Sequence, residues 1–155
     1  MEQKPTYDNF LIKVGQLEHE LSKIEDSSVR LQMFNEYTQS LPYAFVFCQI
    51  LTGNNNLPAD FKFITANKKF ENYSNLNVSD IKDKKVTEII PPIKEQKFDW
   101  ISIMGHIAIF GAKTLFQVYL APFDTWYIVS AFSPDQNYFV LAFDNITEIK
   151  QNEIK

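Results

Sequence analysis

The run Trp126 to Phe132, WYIVSAF, limits the possible fold more than any other stretch of the chain. Read as a strand, it sets Trp126, Ile128, Ser130 and Phe132 on one face and Tyr127, Val129 and Ala131 on the other, and both sets are almost wholly apolar. A strand with one side in water alternates apolar with polar residues, so this one predicts a sheet that is covered on both sides. Thr114 to Leu120 and Tyr138 to Phe143 flank it, set off by Pro, Asp, Ser and Asn clusters that suit turns. The three runs together predict an antiparallel meander, and the rest of the chain must supply its two covers.

The N-terminal segment offers one of them. Phe10, Val14, Leu17, Leu21 and Ile24 recur at alternating spacings of four and three, which makes an apolar seam along a helix. The repeat breaks at Glu25-Asp26-Ser27-Ser28, whose side chains can cap a new helix over Val29 to Ser40. A seam of this kind serves either a dimeric coiled coil or an amphipathic helix lying on its own domain, and the pattern does not choose between them. Pro42 then turns the chain extended. Tyr43 to Leu51 and Phe61 to Ala66 read as a hairpin about the turn Thr52-Gly53-Asn54-Asn55-Asn56. Short helical pieces follow at Asn67 to Tyr73 and Asp80 to Ile90, the second stopped by Pro91-Pro92. A longer helix over Phe98 to Phe110 ends at Gly111, a residue suited to a left-handed cap.

Several functional classes are disfavoured by what the chain lacks. A net charge of -4 without a Lys/Arg cluster argues against a nucleic-acid partner. No apolar run is long enough to span a membrane, and Met1 to Pro5 leads into no signal-peptide core. The single cysteine, Cys48, cannot form an internal disulfide and sits among apolar residues, which predicts a buried thiol in a reducing, cytoplasmic setting. Gly15, Gly53, Gly105 and Gly111 are too scattered to form a phosphate-cradling loop, and no GxSxG elbow is present. Cys48, His19 and His106 lie too far apart for a local metal motif. The chain is therefore not expected to be an enzyme, and neither catalytic nor metal-binding residues are assigned.

The order of strand, strand, short helices, longer helix and three strands resembles a PAS domain over about residues 41 to 150. DFKFITANKKFENY is similar to the family's second strand running through an asparagine into a helix, and SDIKDKKVTEIIP to the segment that ends in proline. FDNITEIK is similar to the closing strand with its DIT motif, with Asn145 in the aspartate position and Ile146 and Thr147 matching. Asn145 remains a good N-cap, and Glu148 three residues on completes a capping-box pattern. The resemblance implies an α+β fold: a five-stranded antiparallel sheet with helices on one face, plus the N-terminal helical extension. It divides the chain into an extension (1–40), a sensor domain (41–147) and the start of an exit helix (148–155).

Function follows from the resemblance as expectation. Aligning the strand ends places Ile128, Ser130 and Phe132, with Phe139, Leu141 and Phe143, toward the helices where the family's ligands sit, with Ile103 and Ile107 opposite. Only Ser130 in this set is polar, which suits a small neutral or aromatic ligand, or none. Some PAS domains bind haem through a histidine in the helical region. At 100° per residue, however, His106 falls at roughly 240°, on the rim of the polar face of its helix. Flavin-binding members carry a reactive cysteine in an NCRFLQ-like helix, whereas Cys48 falls in the first strand. No cofactor is expected, and haem and flavin are both disfavoured. The chain then reads as a sensory or relay module of a signalling protein, with a ligand-independent homodimerisation module as the alternative and a haem sensor the least favoured. Its output would be a histidine kinase, a cyclic-dinucleotide enzyme or a transcriptional regulator. A homodimer is expected through the seam Phe10, Val14, Leu17, Leu21 and Ile24 and the outward face Tyr127 and Val129, with Asn145 and Thr147 leading to the exit helix.

Overall fold

The computed structural model describes residues 5–154. Two N-terminal helices, α1 (Pro5–Ser22) and α2 (Ser27–Thr38), precede the hairpin β1 (Ala44–Thr52) and β2 (Pro58–Ala66). Three short helices follow, α3 (Lys68–Ser74), α4 (Val78–Ile81) and α5 (Val86–Ile89), then a 3₁₀ turn at Pro91–Glu95 and α6 (Trp100–Phe110). The meander β3 (Thr114–Leu120), β4 (Thr125–Phe132) and β5 (Tyr138–Asn145) leads into α7 (Thr147–Ile154). Local chemistry sets the helix ends. Asp26 Oδ1 accepts from the amides of Ser28 and Val29, Asp99 Oδ1 accepts from the amide of Ser102, and Gly111 closes α6 at φ 74°.

The five strands form one antiparallel sheet in the order β2-β1-β5-β4-β3, so the last strand is inserted beside the first. On β4 and β5 the register sets Val129 opposite Phe143, Ala131 opposite Leu141 and Phe132 opposite Val140. Tyr127, Val129 and Ala131 therefore share the face of Phe139, Leu141 and Phe143, while Ile128 and Phe132 share that of Val140 and Ala142. This corrects the expected faces of Ile128, Ser130 and Phe132, which point away from the inter-strand helices, and of Tyr127 and Val129, which point toward them. The expected alignment of β4 was displaced by one residue. Because side chains alternate with a period of two, such a slip exchanges the two faces completely.

Both faces are covered, as the apolar strand requires. On the outer face, Phe10, Val14, Leu17 and Leu21 of α1 and Phe34 of α2 pack with Phe45, Phe47, Ile128, Phe132, Val140, Ala142 and Ile146. The seam is consumed inside the chain: Phe10, Leu17 and Leu21 are 0% exposed and Val14 is 5% exposed. This corrects its expected use as a coiled-coil interface, since a side chain buried against its own sheet has no face left for a partner. Each such burial contributes about 1.5–3 kcal/mol, which favours the nearer apolar surface. Ile24 lies half-buried at the α1–α2 turn, where its carbonyl accepts from Arg30 Nη2 at 2.7 Å.

On the inner face, α3 to α6 and the 3₁₀ turn cover Val46, Phe61, Phe63, Val129, Phe139 and Phe143. A register shift in the β1–β2 pair between Phe47 and Cys48 lets Phe61, Phe63 and Ala66 all join this core. Asn67 ties the two covers together. Its buried Oδ1 accepts from the amides of Phe45 and Phe70, and its Nδ2 donates to the carbonyls of Thr38 and Tyr43. One side chain thus caps α3 and holds both the end of α2 and the start of β1. Farther along, α6 crosses β2 at a point where a Cβ on Gly105 would fall 2.3 Å from Pro58 Cγ, so only glycine permits this approach.

Candidate functional site

A cavity of about 60 Å³ lies between the inner face of the sheet and its helical cover. Its floor is Val46, Phe61, Phe63, Tyr127, Val129, Leu141 and Phe143, with Leu120 and Phe123 at the β3 end. Its roof is Phe70, Val86, Ile90, Ile93 and Trp100, so α3, α5, the 3₁₀ turn and α6 each contribute. No polar atom of the wall is open to it. A void of this kind stays dry, because water entering it would give up hydrogen bonds without replacement.

Of the residues expected to line a pocket, Leu141 and Phe143 do so. Phe139 lies in the same core beside Phe61 without reaching the cavity, and Ile107 and the half-buried Ile103 pack elsewhere along α6. Ile128, Ser130 and Phe132 lie on the opposite face, where Ser130 and Phe132 border a groove beside Val14 of α1. Trp100, Ile90 and Ile93 were not singled out from the sequence. The only signals were the place of Trp100 on the apolar arc of its helix and the two isoleucines flanking Pro91-Pro92.

A run of contacts leads from the cavity wall to the start of α7. Phe143 and Tyr127 stack edge-on with centroids 5.0 Å apart, and both meet the ring of Tyr73 at 6.2 Å. The Tyr73 hydroxyl donates to Asp144 Oδ1 at 2.7 Å, and the amide of Asn145 donates to the same oxygen at 3.0 Å. Asn145 Oδ1 then accepts from the amide of Thr147, and Thr147 Oγ1 accepts from the amide of Trp126. Helix α7 starts at Thr147, whose amide the Asn145 side chain serves from two residues upstream. Burial pushes the Asp144 carboxyl above its ordinary value, against the opposing effects of the Tyr73 and Asn145 hydrogen bonds and the Lys69 charge. Burial first, and then the Asp144 contact, push the Tyr73 hydroxyl well above the usual phenol range, so it remains a donor.

The Asp144 shift has a defined sign. A carboxyl whose pKa is raised on folding binds more protons in the folded state between its unfolded and folded values, so stability falls as pH rises through that window. Asp144→Asn keeps an oxygen to accept from Tyr73 and removes the titration. The variant is expected to show a flatter dependence of the urea midpoint on pH above the ordinary carboxylate pKa, and a higher midpoint than the parent at neutral pH. An unchanged slope would mean that Asp144 does not titrate differently on folding.

The wall does not fit the larger cofactors of this class of fold. A flavin or haem needs several times the volume present, and a flavin needs polar partners for its ring edge, which the wall lacks. His106 is exposed on α6 with its ring against Phe110 at 4.9 Å and does not reach the cavity. Cys48 is buried in β1, where desolvation holds its thiol well above the ordinary value. Among the described residues, no group of three or more His, Cys, Asp or Glu side chains could hold a metal ion, and no helix is long and apolar enough to cross a membrane.

No family profile matches the sequence, and no curated protein sequence is significantly similar to it. Solved structures do match. The chain aligns with an RNA-binding light-oxygen-voltage receptor at a TM-score of 0.53 and 12% identity, over 84% of this chain and 36% of that one. It therefore spans about a third of that receptor's length. A substituted form of the protein RsLOV aligns at a TM-score of 0.50 and 10% identity, over 78% of this chain and 70% of that one. A sensory box sensor histidine kinase from Vibrio cholerae gives 0.46 and 13%, over 78% and 94%. The five-stranded sheet with its helical cover is the fold of the PAS and light-oxygen-voltage sensory domains.

Proposed function

We propose that this chain, which has the PAS sensory fold, is the input or relay part of a signalling protein whose apolar cavity senses a small neutral molecule. The observation that carries the reading is the continuous path from the cavity wall to the exit helix. Phe143 and Tyr127 line the void, touch Tyr73, and through its hydroxyl reach Asp144 and the turn that starts α7. A guest that displaces either ring alters the Tyr73–Asp144 bond, and with it the seat of α7. Asn145 and Thr147 act at this seat within a single chain. Leu141 and Phe143 are the ligand-contacting residues carried over from the sequence.

A second reading, a ligand-independent relay, draws support from the size of the void, far below the roughly 300–1,000 Å³ of sites for drug-sized ligands. It uses the same path, driven by packing instead of by a guest. The output, whether a histidine kinase, a cyclic-dinucleotide enzyme or a regulator, rests on the resemblance alone, and a cytoplasmic location on the lone thiol of Cys48, while the seam on which a homodimer was expected is buried within the chain. RNA binding is a property of the light-oxygen-voltage receptor. This chain's net charge of -4 gives it no such footprint.

The test is to titrate the chain with isobutene while following its backbone amides by NMR, beside Val129→Phe, whose added ring occupies the void. Saturable shifts at Phe143, Tyr73 and Asn145 to Lys150 in the parent, absent in Val129→Phe, are expected. Shifts confined to the cavity wall would remove the relay. Identical behaviour of parent and variant would remove the cavity as the site.

A further inference from the structure

We infer that the cavity selects a small apolar molecule bearing one hydrogen-bond acceptor and no donor, such as a ketone or an ether, and that Trp100 Nε1–H supplies the matching donor. This rests on the cavity being the ligand site and names the class of ligand it takes. Among the described residues, two buried side-chain nitrogens lack a hydrogen-bond partner, Arg30 Nε and Trp100 Nε1. Arg30 is otherwise engaged, with Nη1 on Asp135 and Nη2 on the carbonyls of Ile24 and Glu25. The tryptophan side chain has a single polar atom, so that of Trp100 is wholly without a hydrogen-bond partner.

Buried donors without acceptors are rare in folded proteins, and each one calls for a cause. Here the donor belongs to a residue of the cavity wall, 5% exposed and flanked by the rings of Phe98 and Phe116 at 4.7 and 5.9 Å, which offer no lone pair. The indole is one rigid plate that forms part of the cavity wall, and a turn of the ring that brings its N–H to the void supplies the donor to a guest. A guest of pure hydrocarbon leaves the N–H unmet. A guest with a hydroxyl or amide brings a donor of its own to a wall with no open acceptor, and a charged guest would shed its hydration against apolar rings. An uncharged guest with an acceptor alone satisfies the site. The volume of about 60 Å³ limits it to a few heavy atoms.

Acetone and isobutene are matched in shape and differ in the acceptor, and propan-2-ol adds a donor. Each is titrated into the ¹⁵N-labelled full chain while the two indole N–H signals are followed. Trp126, on the other face of the sheet with Lys150 over its ring, is the internal control. Acetone is expected to move the Trp100 signal downfield and leave Trp126 in place, with isobutene causing no such shift and propan-2-ol binding more weakly than acetone. In Trp100→Phe, acetone affinity is expected to fall about tenfold relative to isobutene, the loss of one hydrogen bond. If that variant does not fold, the indole shift in the parent decides alone. Binding of all three guests with no acetone-specific shift of Trp100 overturns the acceptor inference and leaves the cavity reading standing. Binding of none removes the cavity reading, and this inference with it.

Discussion

Replacing Asn67 with leucine is expected to destabilise the protein by roughly 3–5 kcal/mol, measured as a fall in the urea midpoint with an unchanged slope. The size follows from what the side chain serves. It satisfies two backbone amides and two backbone carbonyls drawn from α2, β1 and α3, and it is 0% exposed, so water cannot replace it without opening the junction. Each orphaned buried group costs about 1–3 kcal/mol, and rearrangement recovers part of the sum. Asn67→Asp separates the two halves of the account. It keeps both accepting bonds but turns a charge toward the carbonyls of Thr38 and Tyr43, so it is expected to be as damaging at neutral pH and to recover as the pH falls and the carboxyl gains a proton. A loss below about 1 kcal/mol in the leucine variant would show that the junction does not depend on this residue.

Leu17→Ala and Leu21→Ala are each expected to cost about 2–5 kcal/mol, without any change in sedimentation of the folded fraction. Both side chains are 0% exposed, in a core that α1 shares with the outer face of the sheet. The same residues in a coiled-coil seam would give the opposite pattern, a loss of dimer with the domain intact. A chain starting at Ser28 would uncover Phe45, Ile128, Phe132 and Val140, and it is expected to bind a dye specific for exposed apolar surface and to aggregate. A shortened chain that unfolds at the parent's urea concentration would show that α1 adds nothing to the fold.

The contrast between these outcomes marks where the sequence was legible. The twofold apolar strand Trp126 to Phe132 demanded two covers, and the structure supplies both. That same property hid the register: when both faces of a strand are apolar, its pattern has no phase, so nothing opposed a displacement by one residue. The spacing of Phe10, Val14, Leu17 and Leu21 specified a helix with one apolar side. It could not specify whose surface that side meets, because a partner helix and the chain's own sheet ask for the same residues. The cavity was the least legible feature. A void is set by how ring-sized side chains fail to fill a space, and Trp100, Phe61, Phe63 and Phe70 look in sequence like any other core residues. The turn Asn145-Ile146-Thr147 was readable as far as its local bond, from the Thr147 amide to Asn145 Oδ1, whereas its bonds to Trp126 come from a distant strand.

The contact between Gly105 and Pro58 bears on how movement would pass along α6. With no side chain between them, the backbone of the helix lies directly against Pro58 and cannot approach β2 further, while Ile101, Met104, Ile107 and Ala108 bury its other contacts in the inner core. Trp100 lies five residues to one side, about 7.5 Å along the axis, and Ala108 three residues to the other, about 4.5 Å. Were the helix to tilt as a rigid rod about that contact, its two arms would be unequal. An outward displacement of Trp100 would then return at Ala108 inverted and reduced to about three-fifths. The carbonyl of Ala108 accepts from the amide of Asn137, in the turn that also carries Asp135, whose carboxylate holds Arg30 of α2. A tilt that started at the cavity would thus have a bonded route to the outer helices around the edge of the sheet.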